Sequence, residues 1–265
     1  MGDKMKKTDN RIPEALLKAL LDNEYDGAQT ITTLSASSLM EPIRIKILKS
    51  RYLNEMELIP EENVFLLIGN SVHSYIDKNN DGEDIERLSM KIGEDIKLSG
   101  KIDLYYNNCI YDFKDTAVSS SMYPIKEEYA MQLNVYKFLL ERYGKMVDKL
   151  YLCYIYRDWS KVALINSFEA NRPYPLSPIE IREVEIMAEN ALIDIFIKKI
   201  DEIKKCKDLK DDDLPICEDK WENHRNKYPI RCLCYCSVNK FCNYYREYVY
   251  PKYSKIADFL ESRFF

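Results

Sequence analysis

Apolar residues recur at helical spacing from Ile12 to Leu21 and again from Leu39 to Tyr52, with the polar run Asn23 to Thr33 between them. Ser35-Ala36-Ser37-Ser38 supplies a start for the second segment, so a two-helix lead-in is predicted. Val64 to Ile68 is apolar, Gly69 permits close approach, and Ser71 to Asp77 continues as a helix carrying His73, one of only two histidines. From Lys91 the period changes to two. Lys97 to Tyr106 and Cys109 to Lys114 alternate as strands on either side of Asn107-Asn108, a pair suited to a two-residue hairpin turn. Glu127 to Tyr143 reads as a helix closed by Gly144, and strands are predicted at Leu150 to Tyr156 and Lys161 to Phe168. Pro173, Pro175 and Pro178 then open a long predicted helix from Pro178 to Lys205. The charged stretch Lys204 to Asp213 separates a core, residues 1–205, from a cysteine-bearing tail, residues 206–265.

With 265 residues and 46% hydrophobic side chains the chain can bury a full core, which excludes disordered and small-scaffold classes. Seven Gly and ten Pro exclude collagen-like and low-complexity chains. No apolar run approaches the roughly eighteen residues of a membrane-spanning helix. The polar start Met1 to Asn10 lacks a following apolar segment, so a cytoplasmic location is expected. Thirty-nine basic against 44 acidic residues give a net charge of −5, so any nucleic-acid affinity must come from a local basic stripe or bound metal ions. The local candidates are Arg44, Lys46, Lys49 and Arg51 in the lead-in and Lys198, Lys199, Lys204 and Lys205 in the long helix. Strong salt sensitivity and little binding without divalent metal are expected.

The hairpin is the most informative feature. With Asn107 and Asn108 as the loop, Tyr106 pairs with Cys109, Tyr105 with Ile110, Leu104 with Tyr111, and Asp103 with Asp112. Lys114 shares the face of Asp112, while Ile102, Leu104, Tyr106, Cys109, Tyr111 and Phe113 form an opposite face expected to be the core. Two facing carboxylates repel each other, so the pair calls for a compensating cation: Lys114, a divalent metal, or both. Oxygen ligands favour Mg²⁺ or Mn²⁺. An acid-x-lysine triplet on a strand is also common as a plain solvated face. Gln132 and Tyr136, one turn apart on the following helix, can reach toward the same face together, although Tyr136 alone would read as a core aromatic.

The ordered series His73, Ser99-Gly100-Lys101-Ile102-Asp103, Asp112-Phe113-Lys114 and Gln132-Leu133-Asn134-Val135-Tyr136 resembles the RecB-type branch of the PD-(D/E)XK nuclease superfamily, over about Ser35 to Phe168. The tail from Pro215-Ile216-Cys217 through Trp221 to Arg231-Cys232, Tyr235-Cys236 and Cys242 is similar to cysteine-containing phage-type members. The resemblance implies an α/β fold with a central mixed β-sheet flanked by helices, a restriction-endonuclease-like core, and a Cys-rich C-terminal extension. It implies metal-dependent hydrolysis of DNA phosphodiester bonds, by an exonuclease acting in end processing or recombination, with a helicase or recombination protein as a possible partner and no membrane. For a phage-encoded protein the location would be the host cytoplasm. Carried over by position, Asp103 and Asp112 would hold Mg²⁺ or Mn²⁺ with the carbonyl of Phe113 and with His73. Lys114 would orient and activate the attacking water, and Gln132 and Tyr136 would contact the DNA backbone or brace the lysine and the scissile phosphate. The alternative is a catalytically silent DNA-binding or assembly subunit that retains the fold, and RNA or branched substrates share the same chemistry.

Five of the eight cysteines, Cys217, Cys232, Cys234, Cys236 and Cys242, fall within 26 residues. In a reducing compartment such density points to a metal or cluster rather than disulfides. The family's iron–sulfur pattern places one cysteine before the core, where this chain has Glu41-Pro42, so four thiolates must come from the tail alone. Cys217, Cys232, Cys236 and Cys242 give C-x14-C-x3-C-x5-C, with Cys234 a spare or an alternative ligand. A [4Fe–4S] cluster, Zn²⁺ and simple buried thiols all remain open from spacing. Either metal would pin the tail and its aromatic run Tyr244, Tyr245, Tyr248, Tyr250 and Tyr253, which reads as packing more than as base stacking.

Overall fold

A computed structural model describes residues 12–22, 30–56, 59–79, 85–218, 220–222 and 227–262. The fold is mixed α/β, with sheets flanked by helices, and it divides into two compact units. One comprises Met1–Thr33, Glu41–Leu67 and Lys198–Phe265; the other comprises Leu34–Met40 and Ile68–Ile197. Among the described residues no helix is long and apolar enough to cross a membrane.

The second unit carries the sheets. A three-stranded sheet orders β1 (Thr33–Ser35), β3 (Lys97–Gly100) and β2 (Leu88–Lys91). A four-stranded mixed sheet orders β4 (Leu104–Tyr106), β5 (Cys109–Thr116), β6 (Lys149–Tyr156) and β7 (Ile179–Val184). Only β5 and β6 run parallel, and α4 (Glu127–Arg142) is the crossover that such a pair requires. Helix α4 touches strands of both sheets, which is why it is buried on nearly every side, from Met131 to Leu140, instead of along one stripe. Asn134 is satisfied within it: its amide donates to the carbonyls of Ala130 and Glu185 and accepts from the Met187 amide at 2.8 Å.

The turn formed as its sequence predicts. Asn107 and Asn108 have φ of 48° and 56°, the left-handed pair that a tight hairpin demands, and Tyr106, Tyr105 and Leu104 oppose Cys109, Ile110 and Tyr111. Apart from Ile102, 5% exposed as expected, the burial of its faces is the reverse of the expectation. Ile110 (0% exposed), Asp112 (1%) and Tyr105 (5%) form the buried face, whereas Tyr106 is 47% exposed. The cause is α4, which lies on the aspartate-bearing face. Three further expectations are corrected. The segment predicted as one strand from Lys97 to Tyr106 is two strands in different sheets. The predicted strand Lys161 to Phe168 is helix α5 (Lys161–Glu169), started by Ser160, whose Oγ accepts from the Ala163 amide at 3.1 Å. The predicted helix Pro178 to Lys205 begins as β7, where Ile179-Glu180-Ile181-Arg182 alternates in period two, and becomes α6 (Glu189–Cys206) only afterwards.

In the first unit, α1 (Glu14–Leu21) and α2 (Ile43–Tyr52) match the lead-in, and α7 (Tyr250–Ser262) follows two π-helical turns, Arg231–Tyr235 and Tyr245–Val249. α3 (Val64–Lys78), which belongs to the second unit from Ile68 onward, is one continuous helix through Gly69.

Candidate active site and thiol-lined site

The candidate active site lies in the second unit. β5 presents Asp112 and Lys114 two residues apart on the face covered by α4. Lys114 Nζ stands 2.7 Å from Asp112 Oδ2 and donates to Gln132 Oε1 at 3.2 Å. The contact with Asp112 is an ion pair without hydrogen-bond alignment, and among the described residues neither carboxylate oxygen of Asp112 has a hydrogen-bond partner. The Gln132 amide donates in turn to the Tyr136 hydroxyl at 2.6 Å, and both side chains are buried. Asp103, just before β4, accepts from the Phe113 amide at 2.9 Å through Oδ2, and its Oδ1 stands 3.3 Å from His73 Nδ1 on α3. The Phe113 ring meets His73 edge-on at 6.4 Å. The structure therefore gathers His73, Asp103, Asp112, Phe113, Lys114, Gln132 and Tyr136 around one spot.

Burial sets the electrostatics. Desolvation pushes the Asp112 carboxyl up to about 6 against the pull of Lys114, and Asp103 pushes in the same direction. His73 is raised by its hydrogen bond to Asp103, against burial. Burial holds the Tyr136 phenol far above its usual range, so Tyr136 stays neutral and braces Gln132. Among the described residues no three His, Cys, Asp or Glu side chains converge tightly enough to hold a metal ion as they lie. Lys114 and the Phe113 amide occupy one oxygen of each aspartate. The fit to a divalent cation is argued instead from Asp112 Oδ1, an unpartnered carboxylate oxygen on a side chain 1% exposed, with a second carboxylate and an imidazole beside it.

Tyr129 was missed by the sequence reading. Lys114 and Lys126 stand 5.1 and 5.4 Å from its ring centroid. Its place three residues before Gln132 on α4 was the available signal. Of the basic candidates of the lead-in, Arg44 and Lys46 turn inward, while Arg51 stays exposed and is held by a partner there. Arg44 is buried and donates to Pro215 O at 3.1 Å, to Leu214 O, and to Asn243 Oδ1 at 2.6 Å. Lys46 is buried on Thr33 O at 2.7 Å. Lys49 pairs with Glu41, Arg51 with Asp211, and Lys199 with Glu202. These side chains are committed to internal partners, so the expected basic stripe of α2 is not offered to a ligand; Lys198, Lys204 and Lys205 are exposed.

The thiol-lined site lies in the first unit. Cys217, Cys232, Cys236 and Cys242 line one cavity with Arg44, Lys220 and Tyr245 among its walls. Burial raises the thiols of Cys217, of Cys232 to about 11 and of Cys236 to about 12, and each is raised further by neighbouring thiols of the four. Arg44 Nη1 approaches Cys242 Sγ at 3.5 Å. Cys234 is exposed, lines no part of the cavity, and is raised by burial alone. Four soft donors lining one cavity beside a guanidinium are the donor chemistry of a thiolate-held metal or cluster, although among the described residues no three of them converge tightly enough to hold an ion as they lie. His224, the other histidine, lies outside the described residues.

No family model and no curated protein matches the chain. Solved structures do. SSO0001 is 17% identical with a TM-score of 0.55, covering 87% of this chain and 95% of that one. A phage-related exonuclease from Haemophilus somnus 129PT is 14% identical, with a TM-score of 0.39 over 65% of this chain and 92% of its own. The alkaline exonuclease LHK-Exo from Laribacter hongkongensis is 11% identical, with a TM-score of 0.39 over 68% and 94%. At such identity the likeness to SSO0001 is one of fold.

Proposed function

We propose that this chain is a Mg²⁺- or Mn²⁺-dependent DNA nuclease of the RecB type, an exonuclease acting in end processing or recombination. The observation that carries the reading is Asp112, a buried carboxylate with an unpartnered oxygen, set beside a lysine that a buried Gln132–Tyr136 pair holds in place. Asp112, Asp103 and His73 would hold the ion, with the Phe113 carbonyl as a further candidate. Bound there, a divalent cation lowers the pKa of water and offsets charge developing on phosphate. Lys114 orients a water and a phosphoryl oxygen through its ammonium. Gln132 keeps that ammonium from swinging to solvent, and neutral Tyr136 fixes the Gln132 amide. The Phe113 amide and His73 fix the rotamer of Asp103.

The test is degradation of linear DNA with Mn²⁺ or Mg²⁺ by the full chain and by Asp112→Ala and Lys114→Ala. Wild-type cleavage lost in both variants supports the assignment. Equal degradation by all three rejects it, and metal binding without cleavage favours a silent DNA-binding subunit. We further propose that Cys217, Cys232, Cys236 and Cys242 bind a [4Fe–4S] cluster, or Zn²⁺ in its place, which staples the C-terminal tail to α2. Visible colour with iron, or a colourless preparation with stoichiometric zinc, separates the two.

A further inference from the structure

The loop between β5 and α4 presents two exposed apolar side chains on a backbone with little freedom. Thr116 Oγ1 and Ser120 Oγ are 2.7 Å apart, and the Val118 amide donates to Asp158 at 2.7 Å. The far end is clamped by Arg182, which donates to the carbonyls of Ser121 at 2.9 Å and Tyr123 at 2.8 Å. Arg182 is itself fixed by Glu180 at 2.8 Å and lies over the Tyr154 ring at 5.1 Å. Pro124 confines Tyr123 to extended backbone, φ −116° and ψ 154°. On this frame Met122 is 58% and Tyr123 66% exposed.

The clamp is tied to the candidate active site. Lys114, Tyr154 and Glu180 are register partners across β5, β6 and β7, so the clamp is built two strands from Lys114. At the loop's other end Lys126 shares the Tyr129 ring with Lys114, which puts the two ammonium groups less than about 11 Å apart. A lone exposed aromatic is ordinary on a protein surface. An aromatic on a clamped backbone, beside a methionine and three residues before one of two lysines that flank the Tyr129 ring, is a stacking platform on the same segment as phosphate-binding charge.

The geometry points to a subsite in which Tyr123, flanked by Met122, stacks the base of an unpaired nucleotide while Lys126 takes a phosphate neighbouring the one at Lys114. The occupant is a DNA strand with at least one unpaired base, so single-stranded or frayed ends are preferred over blunt duplex. The inference rests on the nuclease reading for the position of the scissile phosphate.

The experiment measures binding of the full chain to a single-stranded deoxyoligonucleotide carrying 2-aminopurine, with Ca²⁺ replacing Mg²⁺ to hold off turnover. Tyr123→Ala should raise Kd about tenfold for the single strand and less than about twofold for a blunt duplex, and Tyr123→Trp should stay within about twofold of wild type. Stacking on Tyr123 should quench the probe in wild type and not in Tyr123→Ala. Phe168→Ala, which removes an aromatic 86% exposed on α5, should change nothing. Unchanged single-strand binding by Tyr123→Ala, an equal loss on blunt duplex, or tighter binding of the matching RNA would overturn the inference. Because the readout is binding, a chain that stacks the probe through Tyr123 yet cleaves nothing in Mn²⁺ would sink the nuclease reading and leave the subsite standing.

Discussion

Gly100 packs so closely on Tyr136 that a Cβ added to it would stand 2.8 Å from Tyr136 Cε1 and 3.3 Å from Leu139 Cδ1. Tyr136 holds Gln132, and Gln132 holds Lys114, so a side chain on β3 would be felt at the ammonium. Gly100→Ala is expected to cost about 1–3 kcal/mol of stability through overpacking. It should lower kcat more than it raises KM for linear DNA, and a variant with wild-type kcat would show that the Tyr136 brace is not needed.

Asp112→Asn separates function from stability at one atom. Burial penalises the charged carboxylate more than Lys114 offsets it, and in the variant Lys114 keeps Gln132 Oε1 as its acceptor. At pH 7 without divalent cation the variant should be more stable by roughly 1–3 kcal/mol in urea unfolding. Cleavage should fall at least about a hundredfold, because the site assigned to the ion loses its carboxylate charge and one of its two oxygens.

The cysteines predict a sharp contrast within five residues. Cys232→Ser and Cys236→Ser should lose most of the bound iron or zinc, measured by elemental analysis and visible absorbance. Cys234→Ser, whose thiol faces away from the shared cavity, should keep it all. Metal loss in all three would move the ligand set.

Lys46 predicts a pH dependence. Burial lowers it from 10.5 to about 8, against the attraction of Glu41 and with the help of Lys199 and Lys49. Between about 8 and 10.5 the unfolded chain therefore binds more protons than the folded one, and this group's contribution to stability rises with pH across that window. The penalty is fully present below about 8, on the order of 3 kcal/mol. Lys46→Met should remove that rise, so the difference between the two urea-unfolding curves at pH 8 and pH 10 isolates it from the tyrosines and thiols that titrate nearby.

What the sequence made legible was local. The Asn107-Asn108 turn fixes its own register through two positive-φ residues, so the Tyr105–Ile110 pairing needed no tertiary knowledge. The gathering of His73, Asp103, Asp112, Lys114 and Gln132 likewise followed from motif order. Which hairpin face is buried did not, because the answer depends on where α4 lands. The same holds for Arg44 and Lys46, which read as a basic stripe until carbonyls of Leu214 and Thr33 are seen to receive them. Pro178 before Glu180 and Arg182 suggests a helix start, yet their alternation with Ile179 and Ile181 is a strand pattern, and β6 pairs with it.

The strand that carries Asp112 and Lys114 is hydrogen-bonded along both edges, to a neighbour three residues before it and to another that begins at Lys149. During synthesis the ribosome releases the acids, the lysine and the whole of α4 while that second edge is still bare. A nascent or truncated chain ending between Tyr143 and Asp148 thus carries every one of these groups on a strand whose second edge is unpaired, and the emergence of β6 is what pairs it.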